Sequence, residues 1–363
     1  MHTQKHVDEK PSTKRERGDD FTARKEVTPK PPPIPSARGY FHEITEISNL
    51  KRLWSKVRQS RSLQPRFIKF NERLLDYLVL IQARLRDGSF EFGPYQYFMV
   101  REKKMRSIAN APLKDRIVHW MLYEHLLAQW QRRFISHTFG NLPGRGTHLA
   151  VHQLADWARK PTLTHALQLD MSKYFSSIHH SHLRGFLLRR EGNTQIRSLL
   201  EAVIDSFVSG PEFDHLFPEK SIYRQTADKG MPLGNLTSQI FANIYLNEFD
   251  HWMKESLRVP YYIRYVDDLL VLGESSKQLQ VIQTAVVAKL VSYGLITNPN
   301  KSAIRRISAG VPFLGYIVWP NHISAGKYAR NRYGKLLRGM EGKDKSSAVA
   351  SYRGIFKHTG ATR

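Results

Sequence analysis

The stretch YYIRYVDDLLVLG, Tyr261 to Gly273, sets two aspartates side by side within an apolar run. Residues this apolar predict buried strand on both sides of Asp267 and Asp268. A buried carboxylate is costly unless something pairs with it. Neither Gly nor Asn separates the two arms, so the stretch predicts a tight hairpin held by its surroundings. Neighbouring side chains on a strand point to opposite faces, but a turn can bring them together. Taken alone, the pair also reads as an exposed Asp-Asp turn.

A second apolar strand decides between these readings. Upstream, LQLDMSKYFSSI places Asp170 at the end of such a strand. If the two strands are neighbours, three carboxylates gather at one end of a sheet. That cluster is repulsive when empty and stable when it holds divalent cations. Oxygen donors in a chain without cysteine select Mg²⁺, with Mn²⁺ as substitute, over zinc. Two such ions activate an attacking hydroxyl and stabilise a leaving pyrophosphate, which makes nucleotidyl transfer the expected reaction class.

Other stretches fit that chemistry, each with a plainer alternative. Phe175, beside Tyr174, either lies under the sugar of an incoming nucleotide or belongs to the core. In KGMPLGNLTSQIFANIY, Gly230 and Gly234 permit close backbone approach, and Asn235, Thr237, Ser238 and Gln239 offer hydrogen bonds at a helix start. The loop either cradles a base pair or caps a helix. In REKKMRS, the cations Arg101, Lys103, Lys104 and Arg106 suit a triphosphate, as do Lys114 and Arg116 in LKDR. Solvated charged turns would look the same.

Outward from these stretches, strands and helices alternate, which predicts an α+β fold with a ferredoxin-like sheet covered by helices on one face. NERLLDYLVLIQARLRDG reads as a helix with Leu74, Leu75, Leu78, Ile81 and Leu85 on one side, Asn71 as N-cap and Gly88 as stop. SFEFGPYQYFMVREKKMRSIANAP reads as a hairpin with a basic turn. LTSQIFANIYLNEFDHWMKESL reads as one helix, SSKQLQVIQTAVVAKLVSYGL as a Ser-capped helix, and GVPFLGYIVW as a strand pair. The tail from Gly326 is helical and basic. Residues 1–38, rich in Lys, Arg and Pro, read as a disordered basic arm.

Lys and Arg number 56 against 32 Asp and Glu, a surplus of +24 that points to a polyanionic partner, nucleic acid first. Without cysteine, disulfides, thiolate metal sites and a Cys nucleophile are excluded. No apolar run approaches the roughly 20 residues of a membrane span, and the N-terminus has no signal-peptide core. A cytoplasmic protein is expected.

The ordered set LDMSKYF, GMPLGNLTSQIFANIYLNE, RYVDDLLVL, GLITNPNKS and FLGYIVW resembles the successive motifs of reverse transcriptases, over about residues 70 to 320. The resemblance implies a right-hand polymerase: fingers over 39–160 with a helical N-terminal part, a ferredoxin-like palm over 161–320, and a short helical thumb over 321–363. It implies that Asp170, Asp267 and Asp268 bind two metal ions, with the Met171 carbonyl as a further ligand. Phe175 would exclude ribonucleotides, and Arg106 with Lys104 would contact the triphosphate. Gly234 to Gln239 would line the nucleotide and template pocket, with Asn235 and Ser238 toward the template. Lys301 would sit near the leaving pyrophosphate, Tyr265 near the primer terminus, and Phe313, Leu314 and Gly315 would form a primer grip.

Within the superfamily, Gly234-x-x-x-Ser238-Gln239 looks like the loop of diversity-generating retroelement enzymes. These make cDNA from a template RNA with errors at adenines, forming an RNA/cDNA duplex from dNTPs beside a small basic accessory protein. Met105 stands where the fingers motif usually has Pro, and Asn141-Leu142 where a Cys-Arg pair is usual. Antiphage defence reverse transcriptases using a non-coding RNA resemble the same group and form the alternative. A non-catalytic RNA-binding scaffold would be expected to lack one of the three carboxylates, and all three are present.

Overall fold

A computed structural model of the chain describes residues 39–59, 62–101, 105–207, 228–338, 349 and 354–361. The basic arm, Lys103, Lys104 and, within the predicted thumb, residues 339–348, 350–353 and 362–363 lie outside the described residues. Four helices come first: α1 (Tyr40–Ile44), α2 (Ile47–Arg58), α3 (Pro65–Glu72) and α4 (Leu74–Asp87). Leu78, Ile81 and Leu85 bury one face of α4, while Leu75, one position off that stripe, is exposed. Gly88 ends the helix in the left-handed conformation at φ 78°, as expected of a C-terminal glycine. Asn71 is not the N-cap. It lies inside α3 and accepts a hydrogen bond from Trp54 Nε1 at 3.2 Å, a tertiary contact that sequence spacing does not report.

An antiparallel hairpin follows, β1 (Gln96–Arg101) with β2 (Met105–Asn110), and then the long helix α5 (Leu113–Trp130). Next come β3 (Thr138–Phe139), α6 (Thr147–Ala158), β4 (His165–Asp170), α7 (Tyr174–Ser177), α8 (His180–Leu188) and α9 (Thr194–Asp205). The helix expected over residues 236–257 is divided into α10 (Leu236–Tyr245), α11 (Asn247–His251) and a π-helical turn over Trp252–Ser256. β5 (Tyr262–Tyr265) and β6 (Asp268–Gly273) form the predicted hairpin, followed by α12 (Ser276–Ser292) and β7 (Ala303–Arg306). Ser275 caps α12 by accepting from the Gln278 amide. A second sheet contains β8 (Val311–Phe313), β9 (Tyr316–Val318), β10 (His322–Ala325) and β11 (Gly360–Ala361), with α13 (Lys327–Arg338) between the last two strands.

The central sheet has the order β3–β5–β6–β4–β7. Within it β5, β6, β4 and β7 each run antiparallel to their neighbour, and with their connections they form the βαββαβ ferredoxin-like arrangement. β3 adds to the β5 edge in parallel.

Both faces of this sheet are covered, whereas helices on one face were expected. Leu167, Leu169, Tyr262, Leu269 and Val271 join the larger core with α5, α10 and α12. Their alternates Ala166, Ile263, Leu270 and Leu272 join a second core with Ala150, Val151 and Leu154 of α6 and with β8 and β9. Strands buried on two sides need apolar residues at every position rather than every second one. That need accounts for the uninterrupted LLVL after the aspartates.

Candidate active site

The register of the sheet assembles the site. Asp170, the last residue of β4, is the cross-strand partner of Asp268, the first residue of β6. Asp267 lies in the two-residue turn between Tyr265 and Asp268, which are themselves partners. The Met171 amide donates to the Asp267 carbonyl at 3.3 Å, so the ends of both strands are tied together. Met171 also forms a bridge with Thr297, its side chain buried.

Charge is concentrated here. Lys301 Nζ lies 2.5 Å from Asp170 Oδ1. Asn298 donates its backbone amide to the Asp170 carbonyl at 2.7 Å and its side-chain amide to Oδ2 at 3.4 Å. Burial, followed by the Asp267 and Asp170 charges, pushes the Asp268 carboxyl up to about 7. Burial and Asp170 also raise Asp267, against the pull of Lys301 and Arg106. Arg106, on β2, is thereby close enough to act on the carboxylates.

A divalent cation suits this group: the donors are all oxygen, and their repulsion is relieved by positive charge. Among the described residues, no three His, Cys, Asp or Glu side chains close around a common point as a finished metal cage. In this arrangement Lys301 compensates Asp170 instead.

The neighbouring segments carry the other predicted residues. Phe175 in α7 is half-buried against the larger core, its ring 5.7 Å from that of Tyr174, and its carbonyl accepts from the Met231 amide. Phe175 thus contributes in part to that core. Gly234 has φ +115°, and a Cβ there would lie 2.9 Å from Ile108 Cγ2 and 3.0 Å from the Ala109 carbonyl. The Ala109 amide donates to Leu233 O at 2.8 Å, so the loop is docked on β2. Asn235 and Ser238 are buried, with Asn235 Nδ2 and Ser238 Oγ lacking a protein partner, and Gln239 is half-buried. Tyr265 hydrogen-bonds Thr147 through its hydroxyl at 3.0 Å. Leu314 and Gly315, both at positive φ, form the tight turn between β8 and β9, beside buried Phe313. Gln168, on β4, donates to the Pro312 carbonyl and ties β8 to the strand that ends in Asp170.

Sequence reasoning missed what lies beneath the aspartates. Arg264, wholly buried, pairs with Asp250 of α11 through Nε at 2.8 Å and Nη2 at 2.7 Å. Asp250 also accepts from Thr138 Oγ1 at 2.7 Å and Tyr262 Oη at 2.8 Å. Removing one partner of such a buried pair typically costs about 3–5 kcal/mol. A signal was present: an Arg within an apolar strand, with Asn243 and Asp250 seven residues apart on a buried helical face.

The sheet end thus gathers three carboxylates, a lysine and a docked loop, the arrangement expected of a template-copying polymerase, and the family comparison gives that class. The chain belongs to the reverse transcriptase (RNA-dependent DNA polymerase) family, whose profile matches residues 99–318. It is an RNA-directed DNA polymerase with the right-hand polymerase fold. Protein YkfC of Escherichia coli (strain K12) is 24% identical over 303 residues, covering 73% of this chain and 74% of that protein. A structure of apo telomerase from Candida tropicalis, truncated from the C-terminal domain, matches at 11% identity and TM-score 0.46, over 67% of this chain and 58% of its own. Telomerase from Candida albicans in complex with a TWJ fragment of telomeric RNA matches at 14% identity and TM-score 0.48, over 68% of this chain and 51% of its own. The chain thus spans little more than half the length of these telomerase chains.

Proposed function

We propose that the chain makes cDNA from a dedicated template RNA by two-metal nucleotidyl transfer, within a diversity-generating retroelement. The observation that carries the chemistry is the register that pairs Asp170 with Asp268 beside Asp267, with Lys301 at 2.5 Å. Asp170, Asp267, Asp268 and the Met171 carbonyl would hold two Mg²⁺ ions, for which Mn²⁺ can substitute. When bound, such ions lower the pKa of the primer 3′-hydroxyl and neutralise the departing pyrophosphate. Among the chain's own groups, Arg106 and Lys104 hold the dNTP triphosphate, and Lys301 meets the pyrophosphate as its bond to the α-phosphorus breaks. Phe175 lies under the sugar and excludes a 2′-hydroxyl. Gly234 and Gln239 line the nucleotide pocket, and Asn235 and Ser238 face the template. Tyr265 and the turn of Phe313, Leu314 and Gly315 steady the primer. Fingers, palm and thumb then correspond to 39–160, 161–320 and 321–363, with 1–38 as an arm.

The retroelement reading is supported by the Gly234-x-x-x-Ser238-Gln239 loop, and a small basic accessory protein is its expected partner. Primer extension tests the chemistry, using purified chain, RNA template, DNA primer, dNTPs and Mg²⁺ or Mn²⁺. Asp267→Ala should lower the rate on the order of 10³-fold. No extension by wild type under any of these conditions, or an unchanged rate in the variant, overturns the site assignment. Sequencing the co-purified RNA and its cDNA tests the programme. Substitutions opposite template adenines are expected, whereas a repetitive or template-free product points to phage defence.

A further inference from the structure

The turn that carries the aspartates is strained. Val266 has φ 56°, a left-handed conformation unfavourable for a β-branched residue. A hairpin of this length would ordinarily place Gly or Asn there. The conformation persists only if its surroundings enforce it, and the groups around Val266 show how.

From below, Arg264 Nη1 donates to the Val266 carbonyl at 3.1 Å and to Asn243 Oδ1 at 3.0 Å. The rest of the guanidinium is fixed by both oxygens of Asp250, so its fork cannot swing away. From the side, the Phe139 carbonyl accepts from the Val266 amide at 3.3 Å. Gly140 leaves the space for the valine: a Cβ there would lie 2.8 Å from Val266 Cγ2. Asn243 closes the loop by donating from Nδ2 to the Gly140 carbonyl at 3.0 Å. Arg264, Asp250, Asn243 and Thr138 are all fully buried, so solvent does not compete for these bonds.

We infer that Arg264 is a positioning residue for the polymerase reaction: anchored by Asp250, it clamps the Val266 carbonyl and holds Asp267 and Asp268 in register with Asp170. A buried pair serving stability alone would not need its remaining nitrogen on the carbonyl of the strained residue that joins the two strands. The inference rests on Asp267 and Asp268 being the catalytic carboxylates.

Arg264→Lys separates the roles, because one ammonium can pair with Asp250 but cannot also span Asn243 and Val266. Single-nucleotide extension should show kcat lowered about tenfold or more, with the dNTP KM within about twofold. Val266→Gly, which adopts φ 56° without strain, should restore several-fold of that loss in the Arg264→Lys background. A wild-type kcat for Arg264→Lys overturns the inference. So does Val266→Gly lowering kcat by the same factor in both backgrounds, the result for a merely packed residue. If Arg264→Lys does not fold, Asp250→Asn takes its place with the same two outcomes: it keeps the side chain's volume and removes the charge that anchors the guanidinium. Asp267→Ala in the same assay keeps the two readings apart. If it stays active, the site assignment fails; if it is inactive while Arg264→Lys matches wild type, only the clamp fails.

Discussion

Asp268 shows how the surroundings of a single residue give folding a pH dependence. Its carboxyl is raised from 3.8 to about 7 by burial and by the charges of Asp267 and Asp170. Between those values the folded chain binds more protons than the unfolded one, so raising the pH removes stability. In metal-free buffer the melting temperature should therefore fall as pH rises from about 4 through about 7, and Asp268→Asn should flatten that fall. Mg²⁺ should raise it more at the upper end, where the carboxylate is ionised and available. Melting curves with and without EDTA check this, and a variant with the wild-type slope would remove Asp268 as the cause. At this scale the three carboxylates were legible because apolar strands frame them. Arg264 was not, since a cation in a strand reads as a surface residue until its partner is known. That partner lies on α11, out of reach of local spacing.

At the scale of elements, the loop before α10 is docked on the β1–β2 hairpin. Gly234→Ala strains a backbone at φ +115° and drives a methyl into Ile108 and Ala109. The expected result is a loss of about tenfold or more in kcat/KM for dNTPs. Gly88→Ala, also at positive φ but with nothing within 4 Å, should lower stability without touching kcat/KM. Equal kinetics for the two variants would mean the docking is incidental. The order of strands and helices was readable from periodicity, because period 2 and period 3.6 differ most in long runs. What covers the second sheet face was not readable. An unbroken apolar strand announces burial on two sides but not the neighbour, which here is α6 with the β8–β9 pair. The division of residues 236–256 into α10, α11 and a π-helical turn escaped for a similar reason: the apolar spacing continues across the break.

For the whole molecule, the surplus of +24 should appear in RNA affinity. Each phosphate contact releases counterions, so five or more contacts predict a slope of log Kd against log salt of roughly 4 or more. Fluorescence anisotropy from low to high salt measures it, and a flat response would assign the charge to another purpose. Among the described residues, no helix is long and apolar enough to cross a membrane. The site itself is made of distant parts. Lys301 and Asp170 are 131 residues apart in sequence, and Thr138 and Asp250, beneath them, are 112 apart. Such separations give the region a high contact order, and pairings of this kind form late because long loops must close first. During synthesis, a nascent chain that has not yet released Lys301 from the ribosome cannot close the Lys301–Asp170 pair. Catalytic competence should therefore arrive at the end of folding, and refolding followed by extension activity should lag behind refolding followed by helix content.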